Sequence, residues 1–227
     1  MPHWLISGTD TGVGKTLLTA ALAVYWQRYR KSPLAILKPV QCGPGDREYF
    51  RDLFAGTAPA VTVENPVYFE APIAPPLAAA REGEAVDLAA VWQSYQQARA
   101  THPLVLVEGV GGLGCPLTWE YTVADLARDW RIPTLLVAPV RLGVLGQLVV
   151  HVGFARSQKI DLRGIILSTV TPLDPEEQAA LADIALIENL CGLPVLGTLP
   201  YLSDCTDRQA LLSACAGLEL SRLAMAA

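Results

Sequence analysis

One stretch near the amino end, Gly8-Thr9-Asp10-Thr11-Gly12-Val13-Gly14-Lys15-Thr16, constrains this chain more than any other. It lies between an apolar run, Trp4-Leu5-Ile6, that reads as a buried strand and an apolar stretch, Leu17 to Trp26, with helical spacing. Glycines and small residues in that setting let backbone N–H groups turn inward around a polyphosphate. The ammonium of Lys15 then reaches the outer oxygens, and a hydroxyl such as that of Thr16 can ligate magnesium. The usual loop carries a glycine five residues before its second glycine; here that position is Thr9, and the glycine stands one residue further back, at Gly8. The competing reading is a glycine-rich turn capping a helix beside an incidental lysine. The strand–loop–helix context favours the phosphate loop.

Such a loop needs a sheet behind it, and the rest of the chain supplies one. Apolar strand candidates at Leu34–Leu37, Leu104–Val107, Pro133–Ala138, Gly164–Leu167 and Pro194–Leu196 alternate with helical patterns at 49–54, 88–100, 123–130, 146–157 and 176–190. Strand-then-helix repetition predicts an α/β fold: a mostly parallel sheet with right-handed crossovers and helices on both faces. Residues 1–227 suit a single domain, because 52% apolar and 17% charged residues support one packed core. In such sheets ligands bind at the carboxyl ends of the strands. The polar and glycine-rich oddities fall there: KPVQCGPGD, EGVGGLG, PVRLGVLG, STVTP and TLPY. The proline-rich segment Pro66–Pro76 is expected to be an ordered excursion over the site.

Composition removes several function classes. Net charge is −5, and the only basic run is Arg28-Tyr29-Arg30-Lys31, which argues against nucleic acid as a partner. The longest apolar runs, such as Ile132–Val140, have strand length, so no membrane span is expected. The strand and loop begin almost at once, leaving no signal peptide to expect. Five cysteines, Cys42, Cys115, Cys191, Cys205 and Cys215, show no C-x-x-C or zinc spacing, which reads as reduced thiols in a cytoplasm.

Three further positions carry chemistry. Glu108 ends the apolar strand LVLVEG, where a phosphate-loop enzyme needs an acidic magnesium ligand; a solvated strand-end carboxylate is the alternative. Lys38 stands at a strand end, stiffened by Pro39, and can aim a cation at a transferring phosphoryl or carboxylate group. Asp46, in GPGDREYF, can join Glu108 and Thr16 around magnesium or simply cap a helix.

Taken together, these segments resemble dethiobiotin synthetase. GTDTGVGKT is similar to the family's GTDT-x-VGKT, and LKPV with the following Asp46 resembles its second segment. FEAPIAPPLAAAREG resembles F-x-x-P-x-S-P-H-x-A-A-x-x-E-G, and VEGVGGLGCPL resembles VEGAGG-x-x-x-PL. The resemblance implies a homodimeric, ATP- and magnesium-dependent ligase of biotin biosynthesis. In that chemistry diaminopelargonate takes up carbon dioxide as a carbamate, the carbamate attacks the γ-phosphate, and the second amine closes the ureido ring and expels phosphate. It further implies Lys15 and Lys38 as catalytic cations and Thr16, Asp46 and Glu108 as magnesium ligands. Nucleotide would be held by Thr11, Gly12, Val13, Gly14, Lys15, Thr16, Ser168, Pro200 and Tyr201. Diamine would be held by Thr11, Lys38, Cys42, Gly109 and the helix start Leu142-Gly143-Val144-Leu145.

The chain departs from the family pattern at informative places. Gly12 stands where Glu is frequent, Cys42 where Thr or Ser is common, and Gly146 where an Asn reaches across the subunit junction. Ser168-Thr169 replaces Asn-Asp, so the amide that reads adenine gives way to a single hydroxyl; acceptance of other nucleoside triphosphates is the expectation. A different class with the same architecture is the phosphate-loop ATPase of partitioning and cell division. It usually carries a second lysine near the start of the loop, where this chain has Gly8-Thr9-Asp10.

Overall fold

Every expected strand forms in the computed structural model, which describes residues 2–223. β1 (His3–Gly8) leads through the glycine loop into α1 (Lys15–Arg30), followed by β2 (Leu34–Leu37). After an insertion come α4 (Leu88–Thr101), β6 (Val105–Gly112) and α5 (Val123–Asp129). Then follow β7 (Thr134–Pro139), α6 (Val144–Ser157) and β8 (Leu162–Ser168). The carboxyl-terminal part holds α7 (Pro175–Leu181), α8 (Ile184–Cys191), β9 (Val195–Leu199) and α9 (Arg208–Cys215). Met1 and residues 224–227 of the expected 1–227 domain lie outside the described residues.

The insertion contains β3 (Val40–Cys42), α2 (Asp46–Phe54), β4 (Val61–Glu64), β5 (Val67–Phe69) and α3 (Pro75–Glu82). β4 joins the main sheet, whose order is β4-β2-β6-β1-β7-β8-β9, with each pair parallel. β3 and β5 form a separate parallel pair, with Cys42 opposite Phe69. Residues 66–76 are therefore ordered and pack beside the strand that carries Cys42. Pro72 lies so close to Gly43 that a Cβ there would come within 2.8 Å of it.

The central strands bury both faces, as a sheet covered on both sides requires. Leu5, Val105, Val107, Leu136 and Ile165 pack on one face with α4, α5, α6 and α8. Trp4, Ile6, Leu106, Leu135 and Ile166 pack on the other with α1, α2 and α9. The chain winds outward from β1 to β4, returns to β6, then crosses β1 to β7 and winds the other way. That reversal opens a crevice at the carboxyl ends of the central strands. No helix among the described residues is long and apolar enough to cross a membrane.

The expected helix 176–190 is corrected to two. The chain breaks at Ala182, and Asp183 starts α8 by accepting a hydrogen bond from Leu186 N at 2.7 Å. A capping carboxylate competes with helix continuation.

Candidate active site

The loop after β1 delivers backbone donors to the crevice. Gly14 takes φ +99° at the N-cap of α1, and no side chain caps the helix, so its first N–H groups keep their capacity for an anion. A side chain at Gly14 is excluded twice over: by the positive φ, and by Ser168 Oγ, which would lie 2.3 Å from a Cβ. Lys15 is buried and curls back over the loop, donating to the carbonyl of Asp10 at 2.8 Å. Val13 is buried, whereas Thr11 and Gly12 are exposed on the crest.

Thr16, Lys38, Asp46 and Glu108 converge at the base of this loop from α1, the end of β2, the start of α2 and β6. Thr16 Oγ1 lies 3.0 Å from Asp46 Oδ1 and 3.0 Å from Glu108 Oε1. Lys38 Nζ lies 2.5 Å from Asp46 Oδ2, 2.7 Å from Glu108 Oε1 and 3.4 Å from the carbonyl of Gly109. The backbone of Lys38 is fixed on both sides, its N–H donating to Glu64 O and its carbonyl accepting from Asn65 Nδ2, each at 2.8 Å. Asp46 does not serve as a cap: α2 is capped by Glu48, whose carboxylate accepts from Gly45 N at 2.9 Å, leaving Asp46 free to face Lys38.

Burial and charge pairing oppose each other at these groups. Complete burial pushes the Glu108 carboxyl above its usual range, against the pull of the Lys38 and Lys15 ammonium groups. Burial also works upward on Asp46, but Lys38 and the hydroxyl of Thr16 hold it below the usual value. At Lys38 burial works downward and is outweighed by Glu108 and Asp46, so this lysine is raised. Lys15, with weaker carboxylate support, is lowered by its burial.

A hydroxyl and two carboxylates form a hard, all-oxygen donor set of the kind magnesium accepts alongside water and phosphate oxygens. Glu108 Oε2 is buried and has no hydrogen-bond partner among the described residues, leaving an oxygen suited to a cation. These residues fit the ion.

The remaining candidates divide. Cys42, half-buried at the end of β3, has its thiol pushed up to about 11 by burial. Leu142–Leu145 form the start of α6, with Gly143 at φ +90° and no side-chain cap. Leu142 is 88% exposed, while Val144 is buried. Ser168 is fully buried under Gly14 and lies opposite Leu199 in the β8–β9 pair, while Pro200 and Tyr201 border an open recess of about 500 Å³ with Leu173, Asp174 and Gln178. One contact lay beyond the sequence reading: Arg141 reaches Asp10 at 3.4 Å and ties the start of α6 to the phosphate loop. The only sequence signal for it was a basic residue within PVRLGVLG.

Comparison with known proteins adds five similarities. The profile of a family described as an AAA domain matches residues 3–209. The chain is 64% identical to a protein of Gloeobacter violaceus named ATP-dependent dethiobiotin synthetase BioD, over 95% of this chain and 93% of that one. It is 46% identical to a protein of the same name from Gloeothece citriformis, over 98% and 99% of the two chains. In three dimensions it resembles a ParA family ATPase from Chlorobium tepidum, with TM-score 0.64 and 11% identity over 98% and 96% of the chains. The MinD cell division protein of Aquifex aeolicus is similar at TM-score 0.58 and 12% identity, over 99% and 94%. At such identities the last two speak for the fold alone.

Proposed function

The chain belongs to the ATP-dependent dethiobiotin synthetase family, and we propose that the cluster of Thr16, Lys38, Asp46 and Glu108 beneath its phosphate loop divides the work of that ligase. The enzyme is an ATP-dependent ligase of biotin biosynthesis, and its small-molecule substrates follow from that activity. In our reading diaminopelargonate and carbon dioxide form a carbamate, which takes the γ-phosphoryl group and is then displaced intramolecularly by the second amine.

Backbone N–H groups of Gly12–Thr16 hold the phosphates. Lys15 and Lys38 face the charge that gathers on the transferred group and on the carbamate, and their burial strengthens each interaction. Thr16, Asp46 and Glu108 would hold a magnesium ion, which when bound neutralises phosphate charge. Thr11, Cys42 and Gly109 border the diamine, and the uncapped start of α6 at Leu142–Leu145 offers N–H groups to its far carboxylate. No enzyme nucleophile is needed, because the substrate supplies its own and positioning does the rest. All five cysteines are free thiols, which suits a cytoplasmic setting.

The observation that carries this reading is the meeting of Lys38 with Asp46 and Glu108 at 2.5 and 2.7 Å, directly below Thr16. Phosphate release from ATP should require diaminopelargonate and bicarbonate together and should match dethiobiotin formed, measured by mass spectrometry. Hydrolysis that proceeds without the diamine would favour the ATPase-switch reading instead.

We also propose a homodimer built on the outer face of α6. Val149 and Val150 are exposed there at 41 and 68%, with Leu142 exposed at 88% just before the helix, and Gly146 and Gly153 leave the backbone open a turn to either side. An apolar stripe beside a substrate-facing helix start suits a second copy. Val150→Asp should shift sedimentation from dimer to monomer; an unchanged dimer would place the interface elsewhere.

A further inference from the structure

A recess of about 630 Å³ opens at the far end of α1, between that helix, the loop before β4 and the start of α9. Three cations line it: Arg28 and Lys31, both exposed, and Arg208, half-buried at the first turn of α9. No carboxylate lines it, and among the described residues none of the three cations is in an ion pair. The acid next in sequence, Asp207, is turned to its own helix, accepting from Gln209 N at 2.8 Å and Ala210 N at 3.3 Å. In a chain of net charge −5, this is a concentration of positive charge without a counter-ion.

Arg208 is held in place rather than waving in solvent. Its Nη2 donates to Gln27 Oε1 at 2.7 Å and its Nη1 to the carbonyl of Leu53 at 3.3 Å, with Phe54 beneath the guanidinium. Gln27 is itself buried and anchored, donating to Thr57 Oγ1 at 3.1 Å and to the carbonyl of Pro59. Burial lowers the pKa of Arg208, the mark of a cation partly stripped of water with no carboxylate to offset the loss.

We propose that this recess binds a phosphate-bearing small molecule at a site separate from the phosphate loop. Along α1 the rise from Lys15 is about 14 Å to Val24, where the recess begins, and about 20 Å to Arg28. Three unmatched positive charges exceed what one carboxylate supplies and suit a phosphate group of charge near −2, while guanidinium groups match phosphate oxygens in pairs. Val24 and Leu212 give the remainder of the ligand an apolar wall.

The test uses the full chain carrying one equivalent of a non-hydrolysable ATP analogue with magnesium at its phosphate loop, the excess removed because the analogue itself bears phosphate. Inorganic phosphate is then titrated by calorimetry at constant ionic strength, with chloride and nonanoate as parallel titrants. We expect one further saturable equivalent of phosphate, weakened about tenfold or more in Arg28→Ala/Lys31→Ala, whose melting temperature should match the parent because both side chains are exposed. Arg208→Gln should weaken binding similarly. The proposal falls if phosphate does not bind beyond the loop, if the double variant binds as well as the parent, if chloride displaces phosphate equally, or if nonanoate binds more tightly.

Discussion

The two halves of the sheet end in different chemistry. On the β2–β6 side the strand ends carry buried charge, with Lys38 and Glu108 almost completely enclosed and matched to each other at 2.7 Å. On the β8 side the corresponding positions are Ser168 and Thr169, buried neutral hydroxyls without partners among the described residues. Buried charge is costly unless paired, and here Lys38 is matched by a carboxylate on each side, Asp46 and Glu108. The neutral half carries no such demand. One half is therefore fixed by electrostatics, and the other is held mainly by packing.

The sharpest way to break this contrast is Lys38→Met. We expect turnover to fall by ~10²–10³, as for loss of an electrostatic contact in a transition state. Stability should fall by about 3–5 kcal/mol, because two carboxylates lose their counter-ion. Steady-state rates and urea unfolding read the two effects; a variant as active and stable as the parent would show that the charged half is not special.

Glu108→Gln is a milder cut through the same half. It removes a charge that burial already disfavours, so folding should change little while the magnesium concentration for half-maximal activity rises severalfold. An unchanged magnesium titration would leave Glu108 as a partner of Lys38 and Thr16 only.

The smallest effect belongs to the neutral half. With a hydroxyl at 168 and no paired donor–acceptor group, the enzyme should separate ATP from GTP and CTP by far less than the ~10⁴ of a dedicated site. Comparing kcat/KM across the three nucleotides decides it, and strong ATP selectivity in the parent would show that the neutral half reads the base by other groups.

The same division marks what could be read in advance. The parallel sheet was legible because strands buried on both faces appear as unbroken apolar runs, and because Gly8–Thr16 can scarcely be anything but a strand-to-helix loop. Lys38, Asp46 and Glu108 were legible as polar residues interrupting or following those runs, and the structure brings Asp46 and Glu108 into contact with Thr16 and Lys38 into contact with both carboxylates. Their roles rest on the experiments above. The insertion was harder. β4, VTVE, is a short edge strand that is only partly buried, and α3 opens on Pro75-Pro76, within the segment expected only to be an ordered excursion, although proline suits a first helical turn. The β3–β5 pairing depends on a contact across 27 residues, since Val40 pairs with Val67, and no local pattern announces it. The pair of Arg141 with Asp10 spans 131 positions and was equally invisible.

The contact between Gly14 and Ser168 has a consequence for the genetics of this enzyme. Any side chain at position 14 meets two separate obstacles, a backbone angle only glycine adopts freely and the oxygen of a neighbouring strand. Shortening residue 168 to alanine would clear the oxygen but leave the angle and the Cβ of residue 168, 2.9 Å from the new one. A Gly14→Ala defect should thus have no single-site suppressor at 168, and a search for revertants should return the original glycine.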